Sequence, residues 1–243
     1  MTICYNLTMS KQFQRFALLV GEDSLNSLKD KRVLVFGLGG VGGHACDALA
    51  RSGIKHFTIV DNDVVDITNI NRQLIANMET VGKPKVDVME AHLKSIDPNI
   101  TVNKIKMFYL PENENEISFD GYDYVIDAID TVTSKINIIF RCKRLNIPAI
   151  SALGCGNKLD PLQVEVSDLS KTSYDPLAKV LRRELRKAGI NHVKVVYSKE
   201  SPINVIDENS SKENKHVPGS SAFVPSVVGI VIASEVIKDL LGR

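Results

Sequence analysis

Apolar positions along this chain fall into short solid runs separated by helical spacings, the pattern of strands buried on both faces with amphipathic helices between them. Phe13, Phe16 and Leu19 stand at helical spacing before Gly21, so a short helix is predicted over residues 12–19, an arm ahead of the core. Arg32–Phe36 (RVLVF) reads as a buried strand that runs into a glycine-rich turn, with a helix over residues 44–51 behind it. A second run, residues 57–60, ends in Asp61. The helix and loop between these strands are long enough for a right-handed crossover, so the two should be parallel.

Residues 61–82 (opening DNDVVDITNINRQ) are too polar for a core strand and too specific for a linker, and long ordered loops carry function. Val86, Met89, Ala91 and Leu93 predict a helix over 85–95, and Pro98 stops it before an alternating strand over 101–108. A strand over 122–126 closes in Asp127-Ala128-Ile129-Asp130, followed by a helix over 134–145 and a strand over 149–153. This alternation predicts a Rossmann-like, doubly wound α/β fold with a mainly parallel sheet. Additional C-terminal strands (163–166 and 193–197) and helices (a very basic one over 176–188, an apolar one over 224–241) are expected to extend it, with a mobile polar loop at about 204–221. The expectation is one domain over residues 1–243, divided into a core at 12–153 and an extension at 154–243.

Composition narrows the function by exclusion. The chain has 243 residues, 44% of them hydrophobic, enough to bury a core. Its 30 Lys and Arg nearly cancel 29 Asp and Glu, and a net charge of +1 gives no general attraction for nucleic acid, so any RNA contact must come from a local patch. Four cysteines (Cys4, Cys46, Cys142, Cys155) form no C-x-x-C pair, which argues against a zinc ribbon or thioredoxin-type site. With no secretory pattern and no apolar stretch of roughly 18–20 residues, a soluble cytoplasmic protein with reduced thiols is expected.

The candidate chemistry begins at Gly37-x-Gly39-x-x-Gly42, with Gly40 inside it, between a strand and a helix. Lacking Cβ atoms, such a turn lets backbone N–H groups approach phosphates at a helix N-terminus. Asp61, 19 residues past Gly42 and at the end of the second strand, is placed to accept from ribose hydroxyls. An NAD dehydrogenase would share these features, and the residues that follow separate the two. Asn69, Arg72 and Lys85 suit a triphosphate better than a hydride acceptor. Asp130, at the carboxyl end of a strand, could hold Mg²⁺ on the phosphates. Asp63 and Asp127 read as structural.

The stretches RVLVFGLGGVGGHACDALARSGI, TIVDNDVVDITNINRQ, VGKPKVD and VIDAIDT resemble the ubiquitin-activating-enzyme-like superfamily, which includes the sulfur-carrier adenylyltransferases. The resemblance implies that the glycine turn and Asp61 hold ATP, that Asn69, Arg72 and Lys85 embrace its phosphates, and that Asp130 binds Mg²⁺. It also implies that Arg15, in FQRFALLVG, reaches the neighbouring subunit's site in a homodimer. Arg15, Arg72, Lys85 and Asp130 would then be the catalytic set, stabilising charge as a substrate carboxylate attacks the α-phosphate.

The second half, GCGNKLDPLQVEVSDLSKTSYDPLAKVLRRELRKAGI followed by KVVYSKESP, is similar to the tRNA threonylcarbamoyladenosine dehydratases. That resemblance implies ATP-dependent adenylation of the threonyl carboxylate of the modified adenosine, then cyclisation with net loss of water. Lys179, Arg182, Arg183, Arg186, Lys187, Lys194 and Lys199 face only Glu184 in the intervening sequence, and Arg182, Arg183, Arg186 and Lys187 are the RNA-binding candidates. Two other readings stay open: adenylation of a ubiquitin-like sulfur-carrier protein, and a nucleotide-binding scaffold within a sulfur-transfer complex. Cysteine-desulfurase sulfur-transfer proteins are partners that kinship implies. Kinship also points to a monovalent cation, K⁺ or Na⁺, near GCGNKLDP. Cys155 reads as a small buried residue rather than a sulfur relay.

Overall fold

A computed structural model describes residues 11–204 and 218–243. In chain order the elements are α1 (Gln14–Val20), α2 (Glu22–Lys29), β1 (Arg32–Phe36), α3 (Gly42–Arg51), β2 (His56–Val60), α4 (Lys85–Ile96), β3 (Thr101–Ile105), β4 (Tyr124–Asp127), α5 (Val132–Leu145), β5 (Ala149–Ala152), β6 (Val164–Asp168), α6 (Pro176–Lys187), β7 (Lys194–Ser198) and α7 (Val224–Leu240). The strands form one sheet in the order β3-β2-β1-β4-β5-β7-β6. All neighbours are parallel except β6, which runs antiparallel to β7. The doubly wound, mainly parallel sheet expected from the alternation is thus present, and the C-terminal strands extend it.

Strand β1 shows why its sequence is solidly apolar. Val33 and Val35 enter the core under α3, α4 and α7, while Leu34 and Phe36 enter the opposite layer with Phe119, Ile138 and Cys142. Side chains alternate faces along a strand, so burial of both faces leaves no polar position after the exposed Arg32 at its start. On the first face, Gly229 lets α7 press against α3: a Cβ there would lie 2.3 Å from the Val41 carbonyl oxygen. The polar breaks in α7 serve as ties, because Lys194 Nζ lies 3.1 Å from Glu235 and 2.8 Å from Asp239, whose other oxygen accepts from the Tyr124 hydroxyl at 2.6 Å. No helix among the described residues is long and apolar enough to cross a membrane.

Two local expectations need correction, and a third lies largely outside the described residues. The N-terminal arm contains a second helix, α2, unmarked by periodicity because only Leu25 and Leu28 of its eight residues are buried. Gly21, at φ +91°, breaks α1 and starts α2. The third strand stops at Ile105, three residues short of the expected 108, and Met107, Phe108 and Tyr109 beyond it line a cleft at the carboxyl end of the sheet. The loop expected at about 204–221 lies, for residues 205–217, outside the described residues, as does Cys4.

Candidate active site

The central strands β1 and β4 lie side by side, and the chain winds away from them in opposite directions. Ligands of doubly wound sheets bind at the carboxyl ends of such a pair. A cleft of about 520 Å³ opens there, and Gly37, Gly39, Gly40, Asp61, Asn69, Arg72, Lys85 and Asp130 all line it. Residues spread over nearly a hundred positions thus converge on one site.

The glycine turn is fixed from beneath. The Gly37 N–H donates to the Val60 carbonyl at 2.8 Å, and Gly37 adopts φ +88° with its α-carbon so close to β4 that a Cβ would lie 2.6 Å from the Ala128 carbonyl oxygen. Gly39 is the opposite case: a Cβ there would meet nothing within 4 Å, so the open side of the turn faces the cleft. Gly42, expected to touch the nucleotide, does not line the cleft. It is required because a Cβ would collide with the Gly37 carbonyl oxygen, so its role is to close the turn.

The polar loop after β2 supplies the opposing wall. Asp61 accepts from the Leu38 N–H at 2.7 Å through one carboxylate oxygen and from the Asp63 N–H at 2.8 Å through the other. Asn69 is buried and accepts from the Asp66 N–H at 3.1 Å in a reciprocal cap, so it shapes the loop as well as lining the cleft. Arg72 donates to the Thr68 carbonyl at 2.8 Å and to Asn71 at 3.0 Å, which orients its guanidinium. Lys85, buried at the first turn of α4, reaches Asp63 at 2.7 Å, giving Asp63 a defined role in steering that ammonium.

Asp130 is exposed just past β4. Thr131, not Asp130, occupies the cap position of α5, and it makes no side-chain capping bond. The carboxylate is therefore not spent on the helix. Among the described residues no group of three or more His, Cys, Asp or Glu could cage a metal. One free carboxylate beside a phosphate site is the arrangement Mg²⁺ accepts, because it keeps its waters and phosphate oxygens as remaining ligands. Asp127, read as structural, is so: it lies fully buried with Lys135 Nζ at 2.9 Å and the Ser151 hydroxyl at 2.6 Å.

Two features escaped the sequence reading. Met107, Phe108 and Tyr109 wall the cleft, where an over-long strand had been expected; the buried Arg141 guanidinium donates to the Tyr109 hydroxyl at 2.9 Å and stacks 3.9 Å over Phe119. The aromatic pair before Pro111 was the available signal. Gln73 also lines the cleft, 7% exposed, its Oε1 buried without a partner among the described residues. A buried acceptor in that position suits a site built around a polar ligand.

Arg15 is exposed on α1 and is not part of the cleft of its own chain. The basic helix needs a finer division. Lys179, Arg182, Arg183, Arg186 and Lys187 line one surface groove of about 390 Å³. Within it, Arg182 is committed to the Leu169 and Thr172 carbonyls at 3.3 and 3.0 Å, and Arg183 and Lys187 both pair with Glu184. Lys194 and Lys199 drop out of the basic cluster, since Glu235 and Asp239 neutralise the first and Glu165 the second. Burial, with the nearby charge of Asp130, pushes the Cys155 thiol up to about 12, so it is neutral at pH 7 and a poor nucleophile.

Comparison with known proteins agrees with this geometry. The ThiF family model matches residues 9–243. A tRNA threonylcarbamoyladenosine dehydratase of Bacillus subtilis is 47% identical over 244 residues, covering 96% of each chain. Its Escherichia coli counterpart is 40% identical over 186 residues, 76% of this chain and 69% of that one. Solved structures of the E. coli enzyme, TcdA, in complex with AMP and with ATP superpose with TM-scores of 0.89 and 0.87 at 34% identity, each covering 99% of this chain and 98% of theirs. The chain belongs to the ThiF family and, within it, to the tRNA threonylcarbamoyladenosine dehydratases.

Proposed function

We propose that this protein uses ATP to adenylate the threonyl carboxylate of threonylcarbamoyladenosine in tRNA and so drives its cyclisation. The observation that carries the reading is the convergence of the glycine turn, Asp61, Asn69, Arg72, Lys85 and Asp130 on one cleft. The turn and Asp61 hold the nucleoside end. Arg72 and Lys85 stabilise the charge that grows on the phosphates as the carboxylate oxygen attacks the α-phosphorus and pyrophosphate departs. The carbamoyl group, already in the same molecule, then attacks the activated carbonyl carbon and AMP leaves, so one carboxylate oxygen departs with AMP. Mg²⁺ held at Asp130 would neutralise phosphate charge. The K⁺ or Na⁺ expected near GCGNKLDP has a rival there: the buried Lys158 ammonium already donates to the Ser198 carbonyl at 2.8 Å.

The division of labour we propose gives ATP to residues 12–153 and the RNA to residues 154–243, with phosphates met by Lys179, Arg186 and the outer Arg183 and Lys187. A homodimer agrees with Arg15 lying exposed outside its own cleft, beside Leu18 and Leu19 at 65% and 76% exposure, an apolar surface that a second copy would cover. We place the enzyme in the cytoplasm, consistent with Cys46, Cys142 and Cys155 all being unbridged. A docked cysteine desulfurase would find no reactive thiol in Cys155.

The test is pyrophosphate release from Mg-ATP with tRNA carrying threonylcarbamoyladenosine against the same tRNA lacking it. Release confined to the modified RNA is expected. No release with either RNA would move the substrate to a protein carrier's C-terminal carboxylate. In the same assay, Arg186→Glu with Lys187→Glu should weaken RNA binding and flatten its salt dependence while leaving ATP affinity unchanged.

A further inference from the structure

We infer that Asp175 is a positioning residue that couples the basic helix α6 to the catalytic crevice, so that RNA bound on the helix sets the geometry beside Asp130. The inference rests on the reading that α6 faces RNA.

Asp175 is 5% exposed, and its carboxylate is divided between two elements. One oxygen accepts from the Ala178 N–H at 2.9 Å and caps α6; the other accepts from the Gly154 N–H at 3.1 Å, just past the end of β5. A carboxylate accepting N–H bonds at both oxygens is a strong tie, roughly twice as strong per bond as a neutral pair. The residue before it, Tyr174, sits at φ +55° although it is not glycine, and is 71% exposed. Such a conformation is strained and persists where neighbouring bonds over-determine the backbone, as the two bonds of Asp175 and the fixed φ of Pro176 do here.

From Gly154 the connection continues to the crevice. Strand β5 pairs with β4 in register, Ser151 opposite Asp127, and the Ser151 hydroxyl donates to the Asp127 carboxylate that Lys135 also holds. Three residues on is Asp130. Asp130 follows β4 and Asp175 binds just past the end of its parallel neighbour β5, which places the helix cap and the Mg²⁺ candidate at the same edge of the sheet. The body of α6 is meanwhile clamped by buried Leu181 and Leu185 and by Arg182 on two carbonyls, so a load on its outer cations moves it as a unit.

Two variants separate coupling from capping. Asp175→Ser keeps a helix-capping oxygen for Ala178 but is too short to reach Gly154 as well; Asp175→Ala loses both. For Asp175→Ser the expected result is a Tm lowered less than in Asp175→Ala, because only the Gly154 N–H loses its acceptor, and unchanged Kd for ATP and for modified tRNA, with kcat for RNA-dependent pyrophosphate release down about tenfold, the factor that ~1.4 kcal/mol represents. Asp175→Ala should show the same loss of kcat together with the larger fall in Tm. If Asp175→Ser turns over like the wild type while Asp175→Ala does not, the carboxylate is a helix cap alone and the inference fails. It fails equally if Asp175→Ser loses RNA or ATP affinity by the factor it loses in kcat/KM. A wild type indifferent to modified tRNA would overturn the proposed reaction itself, and this coupling with it.

Discussion

Asp61 reaches back across the top of the sheet to accept the Leu38 N–H at 2.7 Å, so the acid at the end of β2 builds the glycine turn at the end of β1. A nucleotide-facing carboxylate and a structural brace are the same group. Asp61→Ala should therefore cost about 1–3 kcal/mol of stability, because the N–H of buried Leu38 loses its acceptor, and should raise the Kd for ATP at least tenfold. Urea unfolding and calorimetric titration on one preparation read the two effects; a loss of affinity with unchanged stability would remove the brace.

Asp130 stands apart from the protein's own hydrogen-bonding needs. Asp130→Asn should leave Tm within about 2 °C, since an exposed substitution of this kind costs at most ~0.5 kcal/mol. The Mg²⁺ concentration giving half-maximal pyrophosphate release should rise tenfold or more. A fall in Tm with an unchanged Mg²⁺ requirement would mark it as structural.

Lys135 and Asp127 are both fully buried, 2.9 Å apart, with Asp127 at the end of β4. Lys135→Met leaves a buried carboxylate with the Ser151 hydroxyl and a long bond from the Ile129 N–H at 3.4 Å but no countercharge, and should destabilise the protein by about 3–5 kcal/mol. In a chain of this size that is a fall in Tm of roughly 6–20 °C. Adding Asp127→Asn removes the stranded charge and should recover much of it. Calorimetric melting of the single and double variants checks this; additive losses would show the pair is not coupled.

His44 carries a pH dependence of known sign. Burial holds its imidazole below the ordinary 6.5, although the Arg72 carbonyl and the charge of Asp47 favour protonation; Nε2 lies 2.9 Å from the Ser226 hydroxyl. The unfolded chain thus takes up a proton near pH 6.5 that the folded chain refuses. Stability from this group is fully present above that pH, is lost as pH falls toward the lower folded value, and changes no further below it. Melting curves from pH 7.5 to 5 should therefore show a steeper loss for the wild type than for His44→Gln; parallel curves would mean that another group sets the slope.

The sequence alone determined the succession of strands and helices along the chain, α2 excepted, and the wall of the cleft made by Gly37, Asp61, Asn69, Arg72 and Lys85. Those signals are local: solid apolar runs come from strands buried on both faces, and glycines and acids at strand ends come from a backbone that must turn and bind there. Only the tertiary structure decided what depends on residues far apart in the chain. Gly42 proved necessary for its approach to Gly37 rather than to a ligand, and α2 stands on two leucines that no periodicity could mark. Arg182 and Lys194 kept their charge in the sequence count but are spent on carbonyls and on Glu235 and Asp239. Charge can be counted along a chain, but whether a cation is free depends on which acceptors folding brings within 3 Å of it.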